Sequence, residues 1–256
     1  IIALAKRYNC KVMLYSNGVG PLNKEMNKKF AAKVLNNVDL ITLRDGASYE
    51  TLREINVTNP NIKVTADPVF GIEDYNRAAG RAILNMFGVP ENKRTMVVSV
   101  RKTKDTNQKI ESTLARLCDY AAEKYNCAVV FVPMQINKDE QISINIREKM
   151  TNPSYVIDRR MSVSQIISIM ASSDACIGMR LHSLIYSAIG NVPIMAISYD
   201  PKIESFMEYI NQSICIGITE LTDENAFFSL DELFNNYDKI KEALLVGYSK
   251  LKEKAL

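Results

Sequence analysis

Short apolar runs alternate along the chain with longer segments whose apolar positions recur every three to four residues. The runs fall at residues 11–15, 40–43, 63–66, 96–100, 128–132, 155–157, 175–177, 194–197 and 214–216. Their lengths and their valine and isoleucine content are those of β-strands. Between them, a segment such as 108–125 places Ile110, Leu114, Leu117, Ala121 and Ala122 on one helical face. Strands that alternate with helices predict an α/β fold with parallel, doubly wound sheets. Several of the strands are apolar throughout, as required when both faces of a sheet are covered.

The punctuation of the chain predicts two domains. Asp67-Pro68-Val69-Phe70-Gly71 closes one strand in a turn, and Gly88-Val89-Pro90 breaks the chain before a new alternating series begins. Residues 1–88 then form the remnant of a first Rossmann-like domain, incomplete because it holds about three strands. Residues 89–229 form a second Rossmann-like domain. Residues 230–256 form a lysine-rich amphipathic helical segment, of the kind that packs back across the hinge in two-domain sheets. The start, Ile1-Ile2-Ala3-Leu4, lies in mid-helix without a methionine or a cap, so upstream residues are expected.

Composition narrows the function classes. Of 256 residues, 32 are basic and 29 acidic, so no dedicated nucleic-acid face is expected, although a local basic pocket for a small anion is. The five cysteines show no C-x-x-C spacing and their number is odd. Free thiols in a reducing, cytoplasmic compartment account for them. A single histidine, His182, excludes a His-rich metal site. The longest apolar stretch, 175–198, is interrupted by Arg180, His182 and Asn191, so no membrane helix is expected.

Chemistry concentrates around that stretch. Residues 175–177 read as a buried strand, Gly178 as a turn, and a helix starts near Arg180. Polar groups past such a strand lie at the carboxyl edge of the sheet, where open α/β folds bind ligands. The start of the helix adds backbone N–H groups that favour an anion. An arginine there can hold a carboxylate or phosphate bidentately, and a histidine can move a proton. The next strand ends in Ser198-Tyr199-Asp200-Pro201-Lys202, and a right-handed crossover would bring Lys202 to the same edge. Arg44 and Arg101 also follow strands. Against a ligand role stand an ion pair of Arg44 with Asp45, a helix-cap role, and a loop charge for Arg101 beside Lys102 and Lys104. Gly18 and Gly20 mark a tight turn after the first strand, matching neither the Rossmann nor the Walker pattern. Asp67 suits a turn better than a catalytic carboxylate. Tyr15, Phe70 and Tyr199 could stack on a sugar, although core packing suits most of them better.

The string Gly178-Met179-Arg180-Leu181-His182-Ser183-Leu184-Ile185, followed by Gly190-Asn191-Val192-Pro193 and Ser198-Tyr199-Asp200-Pro201-Lys202, resembles the polysaccharide pyruvyl transferase family. It is most similar to the branch that pyruvylates secondary cell-wall polymers for S-layer anchoring. Residues 11–21, Arg44-Asp45 with Ser48, and Asp67-Pro68 match in order and rough spacing. The resemblance implies two Rossmann-like domains similar to the GT-B glycosyltransferase fold. It also implies transfer of pyruvate from phosphoenolpyruvate to a cell-wall sugar of N-acetylmannosamine type, polymeric or lipid-linked, as a cyclic ketal. The family's phosphoenolpyruvate-binding arginine, histidine and lysine fall on Arg44, His182 and Lys202, and Arg180 lies inside the same motif. Arg101, Gly18 and Gly20 are further candidates. The chemistry suits His182 as acid and base and the cations as an anion clamp, with no metal and no cofactor. The resemblance implies a cytoplasmic enzyme at the inner face of the membrane, with peripheral association where the acceptor is lipid-linked.

Two other functions fit the same residues. A GT-B glycosyltransferase using a nucleotide sugar would carry the same cationic edge; an acidic residue positioned for a ribose would favour it, and Glu204 and Glu208, on the helix after Lys202, keep it open. A non-catalytic assembly subunit would keep the fold and lack a complete site.

Overall fold

A computed structural model describes residues 1–20 and 22–255; Pro21 of the predicted turn and Leu256 of the last helix lie outside the described residues. The chain divides into two compact units, Ile72–Tyr248 forming one, and residues 1–71 with those from 249 on forming the other.

The first unit contains α1 (Ile2–Arg7), β1 (Met13–Asn17), α2 (Glu25–Leu35), β2 (Leu40–Leu43), α3 (Gly46–Glu54) and β3 (Ile62–Val64). The strands are parallel, in the order β1-β2-β3. Ile41 and Leu43 from β2 pack with Val38, Leu52, Ile55 and Val57 as the core. Asp39 ties the unit together: its Oδ2 accepts from Lys6 Nζ at 2.8 Å and from the Val12 N–H at 2.7 Å. The Lys6 bond first, and the Val12 bond after it, hold this carboxyl down to about 2. Near the end of β1 the register with β2 slips, where Ser16 takes a left-handed backbone (φ 51°) and donates its N–H to Thr42 Oγ1 at 2.7 Å. This bulge delivers the chain to Gly18.

The second unit begins with α4 (Arg77–Met86) and continues through β4 (Arg94–Ser99), α5 (Gln108–Tyr125), β5 (Cys127–Phe131), α6 (Ile136–Arg147), β6 (Ser154–Val156) and α7 (Val163–Ala171). It then runs through β7 (Ala175–Gly178), α8 (Leu181–Ile189), β8 (Ile194–Ser198), α9 (Pro201–Tyr209), β9 (Cys215–Gly217), α10 (Asp223–Asn235) and most of α11 (Tyr237–Ala255). Its six strands are all parallel, in the order β6-β5-β4-β7-β8-β9. All nine expected strands are present within two residues of their predicted places. Strands β5, β7 and β8 are buried at every position, as their unbroken apolar character requires. Met96, Val98, Leu114, Leu117, Val129, Ile177, Ile197 and Leu230 form the largest core, under α5 and α10. Cys118, Cys127 and Cys176 are buried free thiols, and burial raises all three, Cys127 and Cys176 to about 12.

Two boundaries differ from the sequence-based expectation. The units divide after Gly71 rather than near 88, because α4 packs on α7. Asn76 N–H donates to Ser168 Oγ (3.0 Å), Ser172 Oγ donates to the Arg77 carbonyl (2.6 Å), and Gly80 lets the two backbones meet. Gly88 is instead a helix stop, with φ at 78° and its N–H on the Asn85 carbonyl. The terminal helical segment is two helices separated at Asn236, and α10 starts with a capping box between Thr222 and Asn225.

A Cβ on Gly80 would lie 1.9 Å from the Ser168 carbonyl oxygen, a backbone atom that cannot move aside cheaply. Gly80→Ala is therefore expected to destabilise the second unit by about 1–3 kcal/mol, seen as a lower denaturation midpoint. An unchanged midpoint would show that α4 does not lie against α7 in this way.

Candidate anion-binding site

The strand order of the second unit reverses between β4 and β7, the topological switch point at which doubly wound sheets open a crevice past the strand ends. The chain past β4 carries Arg101, that past β7 carries Arg180 and His182, and that past β8 carries Tyr199, Asp200 and Lys202. Because β7 lies between β4 and β8, the three segments are neighbours on one edge. The Gly178 Cα has no room for a side chain: a Cβ would lie 2.3 Å from Leu184 Cδ2 and 2.8 Å from Ser183 Oγ. Helix α8 therefore sits directly on the strand end, with His182 in its first turn. Its N-cap, Arg180, supplies no side-chain acceptor, so the first-turn N–H groups and their partial positive charge face the edge without a capping side chain. The half-buried His182 ring packs against Tyr186 with centroids 5.8 Å apart.

Tyr199 gathers the cations. The Arg101 guanidinium lies over its ring, 4.9 Å from the centroid, and Nη1 donates to its hydroxyl. Lys202 Nζ lies 5.7 Å from the same centroid. Lys202 Nζ also contacts Asp200 Oδ2 at 2.9 Å, while Asp200 caps α9 through the Lys202 N–H. Burial pushes the Asp200 carboxyl up, but the Lys202 hydrogen bonds and the charges of Lys202 and Arg101 outweigh it, so the net shift is downward. Asp200 stays ionised near neutral pH, and the cluster keeps a net positive charge from Arg101.

Arg180, at the predicted edge, is paired within the protein. Its Nε donates to Asp139 Oδ2 at 3.0 Å and its Nη2 to Oδ1, and its side chain is 12% exposed against 0% for Asp139. Asp139 also accepts from the Gln135 N–H at 2.9 Å. Arg180 is thus half of a neutralised, bidentate pair that fixes the start of α8 to α6. Asp139 was not among the residues singled out from the sequence. Its signal was a carboxylate on the apolar stripe of a helix, in line with Ile142, Ser143 and Ile146, all buried.

In the first unit, the Arg44 guanidinium lies 3.4 Å from Asp45 Oδ2 and 3.7 Å from Asp67 Oδ2. Asp45 caps α3 through the Ser48 N–H, so the ion pair and the cap weighed against a ligand role are both present. Gly18 belongs with Arg44: a Cβ there would meet the guanidinium at 2.6–2.8 Å. Gly20 holds a left-handed backbone (φ 109°) beside Thr51. Asp67 accepts from the Val69 N–H at 3.2 Å at the start of the 68–71 turn. Among the described residues there is no group of His, Cys, Asp and Glu able to hold a metal, and no helix long and apolar enough to cross a membrane.

A family model described as polysaccharide pyruvyl transferase matches residues 1–201. The chain belongs to the polysaccharide pyruvyl transferase family. The amylovoran biosynthesis protein AmsJ of Erwinia amylovora is 21% identical over 247 residues, which is 90% of this chain and 60% of AmsJ. The chain thus spans about three-fifths of that relative's length. Among solved structures, Anabaena HepE in complex with UDP-glucose superposes with a TM-score of 0.66 at 13% identity over 99% of this chain and 70% of HepE. A glycosyltransferase from Rickettsia africae gives 0.66 at 14% over 99% and 74%, and S. aureus MnaA bound to UDP gives 0.66 at 11% over 98% and 66%. At these identities the likeness concerns the fold alone, and that fold is GT-B. In this pyruvyl transferase family member the matched region takes in Arg44, Arg101, Arg180 and His182 and ends at Pro201, so Lys202 stands immediately after it.

Removing one partner of a largely buried ion pair leaves an uncompensated charge. Asp139→Ala is expected to cost about 3 kcal/mol or more of stability, read by chemical denaturation, whereas Asp139→Asn, which can still accept from Arg180, should cost less.

Proposed function

We propose that the full protein transfers pyruvate from phosphoenolpyruvate to a sugar of a bacterial polysaccharide, or of its lipid-linked precursor, forming a cyclic ketal and releasing inorganic phosphate. The observation that carries this is the grouping of Arg101 and Lys202 around Tyr199 beside the His182-bearing start of α8, on a chain of the pyruvyl transferase family. Phosphoenolpyruvate carries a carboxylate and a phosphate, so cations and helix N–H groups are what it requires. The secondary cell-wall branch and an N-acetylmannosamine-type acceptor are part of the proposal, as are a cytoplasmic place and peripheral membrane contact.

In this scheme His182 protonates the methylene carbon of phosphoenolpyruvate, leaving an oxocarbenium-like carbon. One sugar hydroxyl adds to it and its proton returns to the histidine. Phosphate then departs, assisted by Lys202 and Arg101, and carries away the proton of the second hydroxyl as that oxygen closes the ketal. No cofactor is needed for this balance. Arg44 is assigned to phosphoenolpyruvate by the family motif, with Gly18 leaving space for its guanidinium and Asp45 and Asp67 steadying it. Arg180 acts by fixing α8 through Asp139. Sugar hydroxyls are donors, and the cavity of about 710 Å³ past β8 and β9 offers Asp105, Asp200, Glu204, Glu208 and Glu220 as acceptors. The same carboxylates keep a nucleotide-sugar glycosyltransferase as the competing function.

The deciding measurement is acceptor-dependent phosphate release from phosphoenolpyruvate by the full-length protein. His182→Ala is expected to lower kcat by about 10²-fold or more with the fold intact by circular dichroism, and Lys202→Ala to raise KM for phosphoenolpyruvate. Turnover of a nucleotide sugar without phosphate release would replace pyruvyl transfer by glycosyl transfer.

Gly18→Ala supplies a separate check on Arg44. The atoms nearest the added methyl are the far end of a flexible side chain, so the melting temperature should hold while KM for phosphoenolpyruvate rises. Equal KM values for the two proteins would remove Arg44 from the donor site.

A further inference from the structure

A second cavity opens at the same sheet edge on the opposite flank from β8 and β9, past β5 and β6. Its volume is about 390 Å³, within the range of small-molecule sites. Val132, Pro133 and Ile157 give it a buried apolar floor, and Lys138, Arg159 and Arg160 stand at its mouth. Among the described residues that line it there is no carboxylate, in contrast to the five that line the cavity past β8 and β9. The linings of the two cavities are therefore opposite in charge. The exposed Arg159 lies with its guanidinium 5.4 Å from the centre of the Phe87 ring and 4.0 Å from Asp158 Oδ1.

We propose that this cavity binds the diphosphate of a diphosphate-linked acceptor saccharide, the apolar floor taking the first part of its carrier. The assignment to the acceptor rests on the pyruvyl-transfer reading; the ligand chemistry rests on the cavity. A compact trianion such as phosphoenolpyruvate gains nothing from an apolar floor, whereas a phosphate ester of a lipid or a planar base gains from floor and cations together. The cavity is also joined to the reaction centre. Gln135 lines it, Arg180 Nη2 donates to Gln135 Oε1 at 3.4 Å, and His182 lies two residues beyond Arg180. A saccharide anchored here by its diphosphate would have its sugar free to extend along the edge toward His182.

The test is calorimetric titration of the full-length protein with inorganic pyrophosphate, uridine diphosphate and geranyl diphosphate, comparing wild type with Arg159→Ala/Arg160→Ala. Both arginines are exposed, so the variant should fold. Either organic diphosphate is expected to bind more tightly than pyrophosphate, and the tighter of the two identifies the carrier as a nucleoside or a lipid. Loss of two exposed charge contacts should weaken that binding about tenfold and leave phosphoenolpyruvate affinity unchanged. The proposal is overturned by no binding to the wild type, by equal affinity in the variant, or by simple competition between the diphosphate and phosphoenolpyruvate. Diphosphate binding with this pattern, in a protein that releases no phosphate from phosphoenolpyruvate, would sink pyruvyl transfer and leave the diphosphate site standing.

Discussion

The second unit is governed by the burial of its strands on both faces. Strands β5, β7 and β8 have no exposed position, so no polar or charged side chain can work from within the sheet. Chemistry is displaced to the residues just past the strand ends. Because all six strands are parallel, those ends lie on one edge, and the reversal of order between β4 and β7 opens that edge to a ligand. Arg101, His182, Tyr199 and Lys202 are where they are because the strands preceding them cannot hold them.

Charge is then sorted along the edge by local pairing. Arg180 and Asp139 pair in a largely buried bidentate contact that ties the start of α8 to α6. Arg101 lies over the Tyr199 ring beside Lys202, which is itself paired with Asp200, so the charge left unpaired in that cluster is that of Arg101. To one side lie carboxylates suited to hydroxyls, to the other arginines and a lysine over an apolar floor. Under the proposed reading, a donor anion, a sugar and a diphosphate would each take a chemically distinct place on the same edge.

The glycines do as much as the charges. Gly80 allows α4 to reach the backbone of α7, Gly178 allows α8 to sit on β7, and Gly18 leaves the space that the Arg44 guanidinium fills. In each case the requirement is a close approach by another group and not a special backbone angle. Such approaches have no signature in hydrophobic periodicity, which explains why the first boundary was expected near 88 and lies at 71.

The sequence by itself determined the fold class, the nine strands and the stretch that carries the chemistry. Strand-length apolar runs and a Gly-Met-Arg-Leu-His string are local features, and local features are legible in one dimension. It also yielded His182, Lys202, Arg180, Arg101 and Arg44 as candidates, because a polar residue after a buried strand lies at the sheet edge, and Gly18 and Gly20 as a tight turn at that edge. Only the tertiary structure decided how those residues are paired within the protein. Asp139, 41 positions from Arg180, neutralises it; Tyr199, 98 positions from Arg101, collects it with Lys202; Gly18 belongs to Arg44. Pairings of this kind depend on which strands become neighbours, and strand order is set by the packing of the whole sheet rather than by any segment of the chain.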